Sequence, residues 1–178
     1  MKKRLFILSM ICIILVLTAA DCTKDTDNRH YHIKFKNNSK TTIWVIHNGE
    51  EFPDMIIPSW ERDPRVDSMS AILPGENSSS AIWSWDYFEC EFGYTVSGND
   101  TIGYDTLSVY VFNDDTLARY GWQTVRENYL VHQRYDLSLD DLRRLNWQLY
   151  FPPKESMRDI KMWPPYGTYD ANGHRIEQ

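Results

Sequence analysis

The chain has 178 residues, with 25 acidic and 19 basic side chains, a net charge of −6 and an aromatic share of 14%. An acidic chain without a basic stripe is repelled by phosphate backbones, which argues against a nucleic-acid partner and against electrostatic docking to anionic lipid. The length suits one domain with a sizeable core.

The chain opens on Met1-Lys2-Lys3-Arg4, followed by the almost wholly apolar Leu5 to Leu17 and by Thr18-Ala19-Ala20-Asp21-Cys22. A basic start, a short apolar core and small residues predict a secretory signal. The apolar run of about 13 residues falls short of the roughly 20 needed to cross a bilayer. The segment ending at Cys22 resembles the lipobox of bacterial lipoproteins. That resemblance implies cleavage before Cys22 and diacylglycerol on its sulfur, so that a membrane would be held through an N-terminal lipid. Two or more acyl chains, at ~0.8 kcal/mol per buried CH₂, make such anchoring stable. Thr23-Lys24-Asp25-Thr26-Asp27 is similar to the acidic tag with which Bacteroidetes send lipoproteins to the outer face of the outer membrane, so the cell surface is the expected address. The expected division is a signal peptide over 1–21, a lipidated cysteine and polar tether over 22–29, a β domain over 30–153 and an irregular tail over 154–178. Loss of Lys2, Lys3, Arg4 and Asp21 with the leader takes the net charge from −6 to about −8. With Cys12 removed and Cys22 acylated, Cys90 has no partner for an intramolecular disulfide, and the fold must rest on its core.

Residues 30–36 alternate Tyr31, Ile33 and Phe35 with His32, Lys34 and Lys36, the period of a half-buried strand. Asn37-Asn38-Ser39-Lys40 reads as a turn and Thr41 to Ile46 as the returning strand of a hairpin. Pro53, Pro58 and Pro64 break regular structure over 49–65. Ser68 to Leu73 and Ser79 to Trp85 read as strands joined at Pro74-Gly75. Tyr87 to Val96 is a further candidate, ended by Ser97-Gly98-Asn99-Asp100. Leu107 to Phe112 reads as a central strand. A short helix follows from Asp115 to about Tyr120, with Asp114 or Asp115 as cap and Gly121 as its limit. Val131 to Leu137 predicts a strand. Ser138 caps a helix to Asn146 whose Leu139, Leu142 and Leu145 share a face, with acids in the first turn and arginines in the last. Trp147 to Phe151 is a last strand before Pro152-Pro153, and Asn172-Gly173 suggests a small hairpin in the tail. These elements predict a mainly β protein, an antiparallel β-sandwich (immunoglobulin-like by analogy) with one or two short helices in the C-terminal half.

The blocks from Tyr31 to Ser39 and from Arg134 to Trp147, together with the leader, are similar to small uncharacterised lipoproteins of Bacteroides-type bacteria. The resemblance supports address and fold and carries no catalytic residue. The same phylum O-glycosylates exported proteins at Asp-Ser/Thr followed by an apolar or small residue. By that resemblance Ser68, Thr101, Thr106 and Thr116 are candidate glycosylation sites.

Candidate chemistry is thin. His30 and His32 share a strand face and can ligate zinc only with a third ligand from elsewhere; two exposed histidines beside a tether are the favoured reading, and no metal site is predicted. Cys90, among Tyr87, Phe88 and Phe92, reads as a buried hydrophobe. Asp114-Asp115 and Asp140-Asp141 read as helix caps and dipole partners rather than glycosidase acids. No Gly-x-Ser-x-Gly elbow and no phosphate loop occurs, so neither an enzyme nor a cofactor is predicted. Seven tryptophans need a core, an interface or a flat ligand. Trp83 and Trp85 share a strand face, and Trp60 and Trp163 lie in proline-rich stretches, which makes these four the candidate ligand-binding residues. The expected function is a non-enzymatic binding module of the envelope for a glycan or a protein partner. The alternative is a structural, accessory or immunity-type lipoprotein.

Overall fold

The computed structural model describes residues 32–48, 57, 62–66, 71–83, 96–97, 100–101 and 106–176. Strand β1 (His32–Asn37) buries Ile33 and Phe35 completely and leaves Lys34 exposed, as its alternation requires. Strand β2 (Ile43–Asn48) does the same with Ile43 and Val45. The two do not form the expected hairpin. β1 pairs with β4 (Asn77–Trp83) and β9 (Gln148–Phe151), whereas β2 pairs with β7 (Leu107–Asn113) and with the short β3 (Ala71–Ile72).

The buried Asn37 explains the difference. Its amide donates to the carbonyls of Thr41 (2.8 Å) and Ile72 (2.9 Å), and its carbonyl oxygen accepts from the backbone (2.9 Å) and hydroxyl (2.7 Å) of Ser39. These bonds satisfy the turn internally and pass the chain from one sheet to the other. The Pro74-Gly75 turn behaves likewise, since β3 and β4 also belong to different sheets. Gly75 takes φ 79 and donates its N–H to the Asn37 carbonyl (2.9 Å), so the two arches rest on each other.

The first sheet has the order β4-β1-β9. The second, of five strands, has the order β10-β8-β7-β2-β3, with β8 at Gln133–Leu137 and β10 at Lys161–Trp163. β5 (Val96–Ser97) and β6 (Asp100–Thr101) form a separate two-stranded ribbon. Every described pairing is antiparallel except one: β9 runs parallel to β1, from Lys34 opposite Gln148 to Asn37 opposite Phe151. The expectation of an antiparallel fold is corrected at that pair. The route from β8 to β9 passes through helix α2 (Leu139–Arg144) and delivers β9 in the same sense as β1.

The protein is therefore mainly β, with two larger sheets and few helices. One apolar cluster draws on both sheets, with Ile33, Phe35 and Leu149 from the first and Val45, Val109 and Tyr135 from the second. Burial of side chains of this size contributes about 1.5–3 kcal/mol each. β7 is central, as predicted, and is buried on both faces. Its even side, Tyr110 and Phe112, meets a second cluster formed with Leu117 and Val125 of helix α1 (Asp114–Glu127). Trp122 closes this layer edge-on against Phe112 at 5.4 Å.

α1 bends at Gly121, whose φ 73 and ψ 158 are non-helical, where the expected helix was to stop. Its cap is Asn113, not Asp114 or Asp115: the Asn113 side chain accepts from the N–H groups of Asp115 and Thr116. Asp114 instead accepts from the Trp44 indole at 2.7 Å. α2 has the expected Ser138 cap, closed reciprocally by Asp141. The segment from 154 onward, expected to be irregular, packs on the core through Met157 and Ile160 and supplies edge strand β10. Its charged neighbours and prolines hide that apolar spacing in the sequence. The predicted turn at Asn172-Gly173 is present, with Asp170 and His174 bonded across it and Tyr169 opposite Arg175.

Candidate binding groove

A buried ion pair lies beside the groove and touches one of its lining residues, Tyr129. On β8, Arg134 and Asp136 project from the face opposite the shared core, and Arg134 Nε meets Asp136 Oδ1 at 2.6 Å. Ser108 Oγ donates to the same oxygen at 2.8 Å, and Lys161 of β10 lies 3.7 Å from Asp136 Oδ2. Burial works against the charge on Arg134, but hydrogen bonds to Asp136 and Tyr129 and the charge of Asp136 outweigh it and hold the guanidinium protonated. Arg134 Nη1 also reaches the Tyr129 hydroxyl at 3.5 Å.

Tyr129 follows α1 with a left-handed backbone, φ 49, a conformation that non-glycine residues take only when their surroundings hold them there. Its ring lies 5.4 Å from that of Trp163, tilted by 58°. Trp163 ends β10, opposite Arg134 in register, and stays 38% exposed. Behind it, His132 packs at 4.9 Å on Phe151 and at 4.8 Å on Tyr169. The Tyr169 hydroxyl donates to the His132 carbonyl and ties the C-terminal hairpin to the strand start. Burial pushes the His132 imidazole down to about 4, with the positive charge of Arg175 as a second cause. Its Nε2 has no hydrogen-bond partner among the described residues.

An open groove of about 590 Å³ runs between α1 and this hairpin, within the roughly 300–1,000 Å³ of small-molecule sites. Tyr120, Tyr129, Trp163 and Tyr169 give it aromatic walls. Thr116, Thr124 and Asn128 line the helical side, and Arg175 the hairpin side. No carboxylate is among the described residues that line it. Such a surface offers ring faces, hydroxyls, an amide and one guanidinium, the means of stacking on and hydrogen-bonding a flat polar ligand.

Of the four predicted ligand-binding tryptophans, Trp163 lies in this groove. Trp83 ends β4 in the other sheet, opposite His32, and its side chain is outside the described residues, as are Trp60 and Trp85. Thr116 stands in the first turn of α1 at the groove. Thr106 is half-buried ahead of β7 and Thr101 lies in β6, while Cys22, His30, Ser68 and Cys90 fall outside the described residues. Asp140 and Asp141 pair with Arg143 and Arg144 at 3.3 and 2.9 Å. Tyr120, Tyr129, Tyr169 and Arg175 were not singled out in the sequence. The one signal pointing to the last two was their position flanking the Asn172-Gly173 turn.

Among the described residues, no group of three or more His, Cys, Asp or Glu is placed to hold a metal ion, and no helix is long and apolar enough to cross a membrane. The fold and site thus define a mainly β protein with an open aromatic groove beside its second sheet. No family model matches the chain, and no curated protein or solved structure matches it.

Proposed function

We propose that this chain is a lipid-anchored protein of the cell envelope that binds a glycan without transforming it. The leader, Cys22 and the resemblance to Bacteroides-type lipoproteins support the outer-membrane address, with the cell surface favoured. In the same reading the two sheets, joined by one apolar cluster, form a sandwich that is immunoglobulin-like by analogy. The observation that carries the binding role is the Trp163 ring, partly exposed and braced by Tyr129 on an open groove. A ring bound to a buried ion pair through one neighbour is pre-organised, so little freedom is lost when a sugar stacks on it.

The test is a glycan array probed with the full-length protein in neutral detergent micelles, followed by calorimetry on any hit. The expected result is millimolar to micromolar binding that Trp163→Ala weakens at least tenfold. Absence of binding to every glycan, or binding indifferent to Trp163→Ala, would remove the reading.

A further inference from the structure

We propose that the groove selects acidic saccharides, with Arg175 receiving the ligand's carboxylate while Trp163 and Tyr129 take its ring. This rests on the glycan-binding reading and adds the chemical class.

The first argument is charge. Acids outnumber bases along the chain, 25 to 19, yet the described residues that line the groove include a guanidinium and no carboxylate. Carboxylates are the strongest acceptors a protein can offer to sugar hydroxyls. Without them the Arg175 guanidinium is the formal charge of the described lining, and a lone cation suits a ligand that brings its own anionic acceptor.

The second argument is the state of Arg175. Arg65, Arg134, Arg143, Arg144 and Arg158 each pair with a carboxylate. Arg175 makes no ion pair among the described residues. Asp170, the carboxylate among the described residues of its hairpin, is already occupied by the backbone N–H groups of Asn172 (2.8 Å) and His174 (2.9 Å) and by the His174 ring (3.4 Å). The Arg175 charge is nevertheless felt inside the groove, where it disfavours protonation of His132 and partly offsets the effect of burial on Tyr169. A second cation, Arg119, lies against a lining residue, with its guanidinium 5.2 Å from the Tyr120 ring centre. A planar guanidinium beside aromatic faces matches a carboxylate held on a sugar ring, through two parallel charge-assisted hydrogen bonds.

The experiment uses the full-length protein in neutral detergent micelles. Its probes are oligosaccharides carrying hexuronic or sialic acids, their methyl esters, and sulfated and phosphorylated glycans. Acids should bind at least tenfold more tightly than their esters, and the difference should shrink with added salt. Arg175→Gln should remove that difference by weakening acids much more than esters, Arg175→Lys should restore part of it, and Trp163→Ala should weaken acids and esters together. Thermal unfolding of each variant separates lost binding from lost folding. Esters that bind as well as acids, or acid binding untouched by Arg175→Gln in a folded variant, would overturn acid selection and leave the glycan reading standing. A preference for sulfated or phosphorylated glycans would overturn the carboxylate. Failure of every glycan would overturn both readings.

Discussion

Arg134 and Asp136 occupy positions where an unpaired charge is costly, since both side chains are 6% exposed. Asp136→Ala removes the 2.6 Å partner and leaves the guanidinium buried, and should cost about 3–5 kcal/mol in urea unfolding. A double replacement of both residues by apolar ones of similar volume should recover most of that loss. The same variant should free the Tyr129 ring, so its Trp163 fluorescence should differ from wild type while folded. Two histidines set the response to acid. Burial pushes His47 and His132 down to about 4, against about 6.5 in an unfolded chain. Between those values the unfolded chain takes up protons that the folded chain refuses. Stability is therefore full above about pH 6.5 and falls as pH drops toward 4, by up to about 3 kcal/mol per histidine. Urea midpoints measured from pH 7 to pH 4 should show this slope, and His47→Gln with His132→Gln should flatten it. The Ser138 cap was legible in the sequence because its partners are three residues away. The Arg134 site was not, because Ser108 and Lys161 reach it only through strand register.

The elements themselves follow closely from local pattern. β1, β7, β8, β9 and α2 lie where periodicity and capping put them, to within a few residues. Their partners do not follow, because a turn of four or five polar residues serves a hairpin within a sheet and an arch between sheets equally well. Asn37 decides the matter through a carbonyl 35 residues away, which no local window contains. The C-terminal hairpin depends on a close approach of the same kind. Gly173 has φ +85, and a Cβ there would come within 2.6 Å of the Ser39 Cβ and 3.3 Å of the Phe151 ring. Gly173→Ala should therefore lift the hairpin from the arch and cost about 1–3 kcal/mol, measurable as a lowered urea midpoint and as faster amide exchange at Lys40, which donates to the Asn172 carbonyl. Ser138→Ala should cost about 1 kcal/mol and leave the hairpin amides unchanged.

For the whole molecule, composition and strand spacing gave the mainly β class, while the two-sheet arrangement with its single parallel pair required the contacts. Of the groove, one residue in the predicted set was found, Trp163. Its companions are spread from Thr116 to Arg175, and only the fold gathers them. The proposed anchor makes a prediction at this scale. Protease treatment of intact cells should remove the wild-type protein, and Cys22→Ala should shift it to the soluble fraction after lysis. Wild type protected until lysis would place it on the periplasmic face instead.

The parallel pairing of β1 with β9 has a mechanical side. The chain enters β1 at its His32 end, and Phe151, Ser39 and the C-terminal hairpin gather at the Asn37 end, about 17 Å away at ~3.3 Å per residue. A chain held by lipid at its start and pulled through a ligand at the groove would bear tension along β1. The ladders to β4 and β9 lie on either side of that line, with bonds running across it. They would be loaded in shear, many at once, and not peeled apart singly. A tug on the bound ligand would thus meet the fold along its most resistant direction.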